Sequence, residues 1–586
     1  MPARKSLSAT SERASAFASS LILFALVSGI LPARAASLQT RDRRSAAFQQ
    51  ARERRSDATR TTTQTATPSR TSTQNAPAAT QTPTPAQTPS PAPTATPVLR
   101  QTSAAPATLE DLRARLREIL SKPEFAASRM TVKIASLDTN RILFEQDADK
   151  WMQPASNLKL YTVAAALDRL GPDYRFVTSV YAPARPDASG AIHGDLVIYG
   201  RGDPSYATRF NAAGDADYYR AINELAANIA GAGVRRVEGD LVGDESYFSG
   251  SAIPAGWEWD DLQWWYGAEV SALTINDNSV DLTVKPGARV GDPCVITVGP
   301  SVSVVTVVDR TRTDVRGARR ELSVTRPLGQ NTIEIRGTMP VDDRGFAASL
   351  AVSRPALVFA TMLRTALERR GVVISGQTRT VDAQTRADTN KPLQVSSLVE
   401  IATRQSPPLA VIAAQTLKPS QNLYAELILR ALGKATATDP RQTSDEAGMA
   451  AVKSFLAGAG VDSSRIVMLD GSGLSRADLV TASATVRLLT YMNSHRAGAV
   501  LRDALPIAGV DGTLRSRMKG TAAQGNVRAK TGTLGTATSL SGYVLSAAGE
   551  RLVFSLMINN PPRDADAHAA FTDAIAVLLA SFTGRS

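Results

Sequence analysis

One cysteine, Cys294, stands in 586 residues, so no intrachain disulfide can form and no thiolate cluster can hold a metal. Histidine is nearly as scarce. His193, His495 and His568 are scattered without metal-ligand spacing, and each reads as an ordinary surface or loop residue. Neither H-E-x-x-H nor G-x-S-x-G occurs, which argues against a zinc peptidase and an α/β-hydrolase. No motif implies a metal or an organic cofactor.

The apolar run Leu21–Ile30 falls well short of the roughly 20 residues that span a bilayer. Arg4, Lys5 and Arg13 precede it and Ala33-Arg34-Ala35 follows it, so residues 1–35 read as a secretory leader cleaved after about Ala35. The mature protein is expected to be periplasmic. Residues 36–107 are rich in Thr, Pro, Ala, Gln and Arg, with almost no large apolar side chains to offset the entropy of ordering, and read as a disordered linker. Residues 1–107 carry thirteen basic against four acidic side chains, so nine of the twelve net positive charges lie outside the folded region. A nucleic-acid-binding face is therefore not expected. A basic linker of this kind can rest against anionic membrane or wall polymer, or be merely solvated.

From Thr108 onward the texture is that of a folded chain. Thr108-Leu109-Glu110-Asp111 opens an amphipathic helix on Leu112, Leu116, Ile119 and Leu120, and Met130, Val132 and Ile134 alternate into a hairpin returning at Ile142-Leu143-Phe144. A buried helix runs from Leu158 to Leu170 and stops at Gly171-Pro172. Short β segments then persist to about residue 390, with helices at 218–229 and 356–370, and read as an insertion of two nested lobes. Helical patterns return over 395–432, 447–459 and 482–493, followed by strands at 527–533, 542–545 and 551–558 and a helix over 564–582. The expected domains are a core of residues 108–178 and 392–586, a first lobe of 179–250 and 371–391, and a second of 251–370.

Three short motifs occur in one order: Ser156-Asn157-Leu158-Lys159, Ser420-Gln421-Asn422 and Lys530-Thr531-Gly532. The first is cheap by itself, because Ser516-Arg517-Met518-Lys519 matches the same pattern. That second copy follows the Ser-x-Asn motif and lies too close to Lys530. Order and spacing carry the signal. On these residues the chain resembles the acyl-serine penicillin-binding proteins and β-lactamases, and more narrowly the D-alanyl-D-alanine carboxypeptidase/endopeptidase family with a large insertion between the first two motifs. Supporting segments are Gly202-Asp203-Pro204, Asn276-Asp277-Asn278, the run Asp470 to Arg476, and Gly509 to Leu514.

The resemblance implies an α/β (α+β) fold: a penicillin-binding protein/β-lactamase-like transpeptidase core, an antiparallel sheet covered by helices and interrupted by the β-rich insertion. It implies a serine peptidase acting on D-Ala-D-Ala stem peptides of peptidoglycan, with endopeptidase action on cross-links as an added expectation and β-lactams as covalent inhibitors. A hydroxyl is a poor nucleophile until a base takes its proton, and residues three apart on a helix are neighbours, so Lys159 can reach Ser156. Lys159 must then be neutral near pH 7, which burial and a nearby cation, Lys530, would favour. By the resemblance, Ser420 relays a proton to the leaving nitrogen and Asn422 holds Lys159 and a substrate amide. Thr531 and Thr533 with Lys530 bind the terminal carboxylate, the backbone N–H groups of Ser156 and Thr533 hold the oxyanion, and Gly532 lets a substrate backbone approach. Arg476, Asp260 and Asp261, in the cluster with Trp257, Trp259 and Trp265, are candidates for reading the substrate side chain, an acidic group suiting a free ammonium. The same aromatics could simply glue the insertion to the core.

Two other readings compete. A β-lactamase shares the acylation machinery but needs a second base, and its middle motif would begin with tyrosine where Ser420 stands. A non-catalytic wall-binding homologue would keep the fold without the reactive side chains, all of which are present.

Overall fold

The computed structural model describes residues 104–389 and 393–586. The leader and all but the last four residues of the linker lie outside them. Among the described residues, no helix is long and apolar enough to cross a membrane.

The first helix among the described residues, Leu109–Leu120, is capped by the Thr108 hydroxyl, which accepts from the Asp111 amide at 3.1 Å. Its Leu112, Leu116 and Leu120 are buried against the C-terminal stretch through Phe571, Ile575 and Leu579. Beneath them lies a five-stranded antiparallel sheet in the order Arg528–Leu534, Ala537–Leu545, Arg551–Asn559, Arg129–Ser136 and Ile142–Gln146. The two ends of the folded chain thus meet in one sheet, Arg129 opposite Asn559. Alternation along Arg551–Asn559 serves two cores: Phe554, Leu556 and Ile558 face the terminal helices, while Val553 and Met557 face a helical layer. Each large apolar side chain buried this way contributes roughly 1.5–3 kcal/mol.

That helical layer is Lys159–Arg169, Leu409–Leu417, Asn422–Thr436, Ser444–Gly458 and Ala482–Ser494. In Lys159–Arg169, residues Lys159 to Leu167 are all buried, so this helix is enclosed on every side. Ser156 lies just before it, on the 3₁₀ turn Ala155–Leu158.

The insertion is built on a mixed sheet ordered Thr378–Val381, Leu241–Asp244, Leu196–Tyr199, Val177–Ala182 and Val399–Gln405. Three three-stranded sheets accompany it, one containing Ser279–Lys285, one Thr332–Pro340 and one Arg236–Val237. One apolar core draws on all four, Leu196, Leu225 and Val237 joining Leu282, Ile335 and Phe359.

Three expectations differ from these pairings. The helical pattern over 395–432 contains a strand, Val399–Gln405, antiparallel to Val177–Ala182; its Val399, Ile401 and Thr403 alternate, and Pro407-Pro408 separates it from the next helix. The chain therefore returns to the core after Gln405, not at 392. The helix Pro355–Glu368 covers the first lobe's sheet, with Ala356 and Ala360 lying over Gly243, so the second lobe ends before residue 355. The closing helix begins with a π-helical stretch, His568–Asp573, before Ala574–Ala580.

Candidate active site

The three motifs converge through their lysines. Lys159 Nζ donates to Ser156 Oγ at 2.8 Å, to Asn422 Oδ1 at 2.6 Å and to the Ser472 carbonyl at 2.7 Å. Lys530 Nζ donates to Ser420 Oγ and to the Thr531 carbonyl, both at 2.8 Å. Both lysines are fully buried. Three acceptors around one nitrogen use every proton of an ammonium, so the position of Lys159 is over-determined.

Local structure explains why the Ser420-Gln421-Asn422 side chains point as they do. Gln421, the middle residue, caps the helix Asn422–Thr436 by accepting from the Leu423 amide at 3.1 Å. Ser420 and Asn422 are thereby left to the two lysines, and the capping role that could have absorbed them belongs to their neighbour. Ser420 and Ala155, next to Ser156, both have positive φ, at 65° and 47°. Backbone strain of this kind costs about 1–3 kcal/mol per residue and persists only where the surroundings enforce it.

The Asp470–Arg476 run supplies that enforcement at Ala155. Asp470 accepts from the amides of Ser472, Gly473, Leu474 and Ser475 at 2.6–3.0 Å, and from Trp257 Nε1 at 2.8 Å. The resulting tight turn presses Gly473 against the serine turn, where an added Cβ would lie 1.9 Å from the Ala155 carbonyl oxygen. It also aims the Ser472 carbonyl at Lys159.

Burial lowers the Lys159 pKa from 10.5 to about 7, against the opposing pull of Asp470, Glu426 and Asp478. The cation effect expected from Lys530 runs the other way. Burial first, and then the charge of Lys159, hold Lys530 well below the usual lysine range. Behind Lys159, burial raises Glu426 to about 8, and burial with the charge of Asp470 raises Asp478 to about 10.

Gly532 serves a different purpose from the one expected. A Cβ there would lie 2.1 Å from Ser539 Oγ and 2.5 Å from the Pro154 carbonyl oxygen, so the glycine admits the turn that carries Ser156. Thr531 and Thr533 lie on the opposite side of this edge strand. Thr531 Oγ1 is 2.8 Å from Thr513 Oγ1, and Thr533 Oγ1 is 3.3 Å from His568 Nε2. Of the second S-x-x-K copy, Ser516 and Lys519 are exposed.

At the edge of the site, Arg476 Nη1 pairs with Glu258 at 3.0 Å and Asp261 at 3.2 Å. Oxygens of Glu258, Asp260 and Asp261 come within 4.8 Å of one another, a spacing that could hold a cation, with the Arg476 guanidinium already supplying positive charge. Trp257 is buried with Leu262 and Leu474 and joins the insertion to the core, while Trp259 is 67% exposed. The insertion reaches the motifs directly: the Tyr266 carbonyl accepts from Asn422 Nδ2 at 2.8 Å, and its hydroxyl donates to Asp261 at 3.2 Å. Farther along the motif helix, the Tyr424 hydroxyl donates to Asp277, which also accepts from Arg209 Nε at 3.0 Å.

Sequence reasoning missed Tyr266, Glu426, Asp478 and His568. The Tyr266 carbonyl left no signal, whereas Asp478 stands two residues beyond the marked run that ends at Arg476, and Thr513 lies within the marked segment Gly509 to Leu514.

Comparison with known proteins agrees with this arrangement. Residues 112–582 match the D-Ala-D-Ala carboxypeptidase 3 (S13) family. A D-alanyl-D-alanine carboxypeptidase of Actinomadura sp. (strain R39) is 35% identical over 492 residues, covering 82% of this chain and 86% of that protein. The crystal structure of penicillin binding protein 4 (dacB) from Haemophilus influenzae superposes with a TM-score of 0.67 at 25% identity, over 80% of this chain and 97% of that one. A second crystal structure of that protein, complexed with a β-lactam, shares the fold with a TM-score of 0.62 at 24% identity, over the same shares of the two chains.

Proposed function

The chain belongs to the D-Ala-D-Ala carboxypeptidase 3 (S13) family, and on that premise we propose that it is a serine peptidase that removes the terminal D-alanine of peptidoglycan stem peptides through an acyl-enzyme on Ser156. The observation that carries this reading is the bond from Lys159 Nζ to Ser156 Oγ, 2.8 Å long, made by a lysine whose burial brings its pKa to about 7. Half of such lysines are neutral at that pH and can accept the serine proton as the hydroxyl attacks the peptide carbonyl.

Ser420, in contact with Lys530, passes a proton to the departing D-alanine nitrogen, and the backbone N–H groups of Ser156 and Thr533 hold the oxyanion. Thr531 and Thr533 hold the terminal carboxylate. Water then releases the acyl group, and the same arrangement would cut a D-alanyl cross-link whose leaving amine carries a carboxylate. Asp261, with Asp260 and Arg476, reads the substrate side chain beyond the scissile bond. The enzyme acts in the periplasm once the leader is removed, with the basic linker against membrane or wall polymer.

A β-lactam mimics the D-alanyl peptide as an acylating agent, and Ser420 in place of tyrosine supplies no second base for its release. Benzylpenicillin is therefore expected to leave a long-lived adduct on residues 36–586, seen as a mass increase by intact-protein mass spectrometry, and absent from Ser156→Ala. Rapid penicillin turnover would favour a β-lactamase. No adduct on folded protein would favour the non-catalytic homologue. N-terminal sequencing of exported protein tests the leader: a mature start near Ala36 is expected, and a retained N-terminus would overturn it.

A further inference from the structure

Thr531 and Thr533 occupy the same face of the edge strand, and each hydroxyl has one partner there. For Thr531 the partner is another hydroxyl, Thr513 Oγ1 at 2.8 Å; for Thr533 it is an imidazole nitrogen, His568 Nε2 at 3.3 Å. A hydroxyl has a single proton to give. If His568 Nε2 is bare, it takes that proton and Thr533 presents only lone pairs outward. If Nε2 carries a hydrogen, it donates to Thr533 Oγ1 and frees the Thr533 proton for something else. A carboxylate accepts and never donates, so only the second arrangement lets Thr533 bind one.

We propose that His568 is a positioning residue that turns the Thr533 hydroxyl toward the substrate's terminal carboxylate, making recognition of that carboxylate dependent on a proton at His568 Nε2. The inference rests on the reading of Thr533 as a carboxylate ligand. An imidazole is the side chain whose charge ordinarily changes between pH 5 and 8, and protonation guarantees an Nε2 hydrogen whatever the neutral tautomer. Charged groups stand on the elements packed about this stretch. Asp566 caps the His568 and Ala569 amides at 3.2 Å, Arg517 pairs with Asp573 one turn on, and Lys122 reaches the Ala570 carbonyl at 3.3 Å. Lys530, on the motif strand, is directed away toward Ser420. His568 also opens the π-helical stretch, a geometry frequent at functional sites.

The test is steady-state kinetics between about pH 5 and 8 on an acyl-D-alanyl-D-alanine peptide and its C-terminal amide, for wild type, His568→Phe and His568→Gln, with thermal melts to confirm folding. Titration of Lys159 affects both substrates alike and cancels in their ratio. For wild type, KM for the acid relative to the amide is expected to fall roughly tenfold as pH is lowered, the effect of one hydrogen bond to a charged group. His568→Phe, which removes the nitrogen that takes the Thr533 proton, is expected to hold the low ratio at every pH. His568→Gln, whose amide N–H donates at any pH, is expected to hold the same low ratio without the pH dependence. An acid-to-amide ratio that is flat in wild type, or unchanged in His568→Phe, overturns the inference alone. A wild-type protein that cleaves neither peptide and takes no penicillin adduct overturns the functional reading and this inference together.

Discussion

On the floor of the site, Lys159 and Lys530 are fully buried and gripped by side chains from distant parts of the chain. At its edge, Glu258, Trp259 and Asp260 are exposed, and Arg476 is shared between two carboxylates. Electrostatic interactions strengthen as water is excluded, so the floor can move a lysine pKa by several units while the edge works in screened conditions. The floor is equipped to change the protonation of reacting atoms, and the edge to select which molecule arrives. Breaking the floor should therefore cost rate, whereas breaking the edge should cost discrimination.

The largest effect within this contrast is expected from Lys159→Met. Removing a positioned base typically costs 10²–10⁴-fold, so acylation by benzylpenicillin in stopped-flow assays should slow by roughly 10³-fold. The pH profile sharpens the point. Because the folded pKa of Lys159 is lowered to about 7, the base form grows as pH rises through 7, and the wild-type acylation rate should climb there. The variant should lack that limb. A limb that survives would assign the base to another group.

Gly532→Ala comes next. Its Cβ would intrude on Ser539 Oγ and the Pro154 carbonyl, pushing the motif strand away from the Ser156 turn. A misplacement of about 1 Å can cost 10²-fold, and a loss near that size in kcat is expected, with a lowered melting temperature. If instead KM alone rises and the melt is unchanged, the glycine faces substrate after all.

At the edge, Asp261→Asn should leave acylation by benzylpenicillin within about twofold, because the drug lacks a stem-peptide side chain. It should lower kcat/KM roughly tenfold for stem peptides bearing a free ammonium, a loss in the range of one charge-assisted contact. Equal losses for free and acetylated side chains would place Asp261 among structural residues, holding Arg476 and the Tyr266 hydroxyl.

The same division marks what could be read from the chain in advance. Ser156, Lys159, Ser420, Asn422 and Lys530 were legible because each lies in a short motif whose local geometry is tied to its chemistry. The antiparallel sheet was legible because period-two alternation is strong in Arg551–Asn559. Spatial partners were not. His568 stands 35 residues from Thr533, and nothing in its own neighbourhood marks the contact. The strand Val399–Gln405 is not legible because a seven-residue run beside the helical pattern that follows it carries little periodic signal, and its pairing with Val177–Ala182 is a tertiary fact. The role of Gly532 was inverted because sequence identifies a place that needs no Cβ without saying what fills it.

The smallest effect probes the floor from behind. Glu426 accepts from the Gly471 amide at 2.7 Å and is raised by burial to about 8, so at pH 7 it is mostly a neutral acid that glutamine can imitate. Glu426→Gln should keep kcat within about twofold and change the melting temperature at pH 7 by on the order of 2 °C. The difference should grow with pH in a definite direction. An acid whose folded pKa lies above its unfolded value stabilises the fold fully below the ordinary carboxylate range and loses that contribution as pH rises through about 8. Lys159 has the opposite slope: its lowered pKa penalises the folded state below about 7, and the penalty is relieved as pH rises. Melting curves of wild type alone would mix the two, but wild type minus Glu426→Gln isolates the carboxyl. The variant should become the more stable protein above about pH 8, and a difference independent of pH would mean that Glu426 is already ionised beside Lys159.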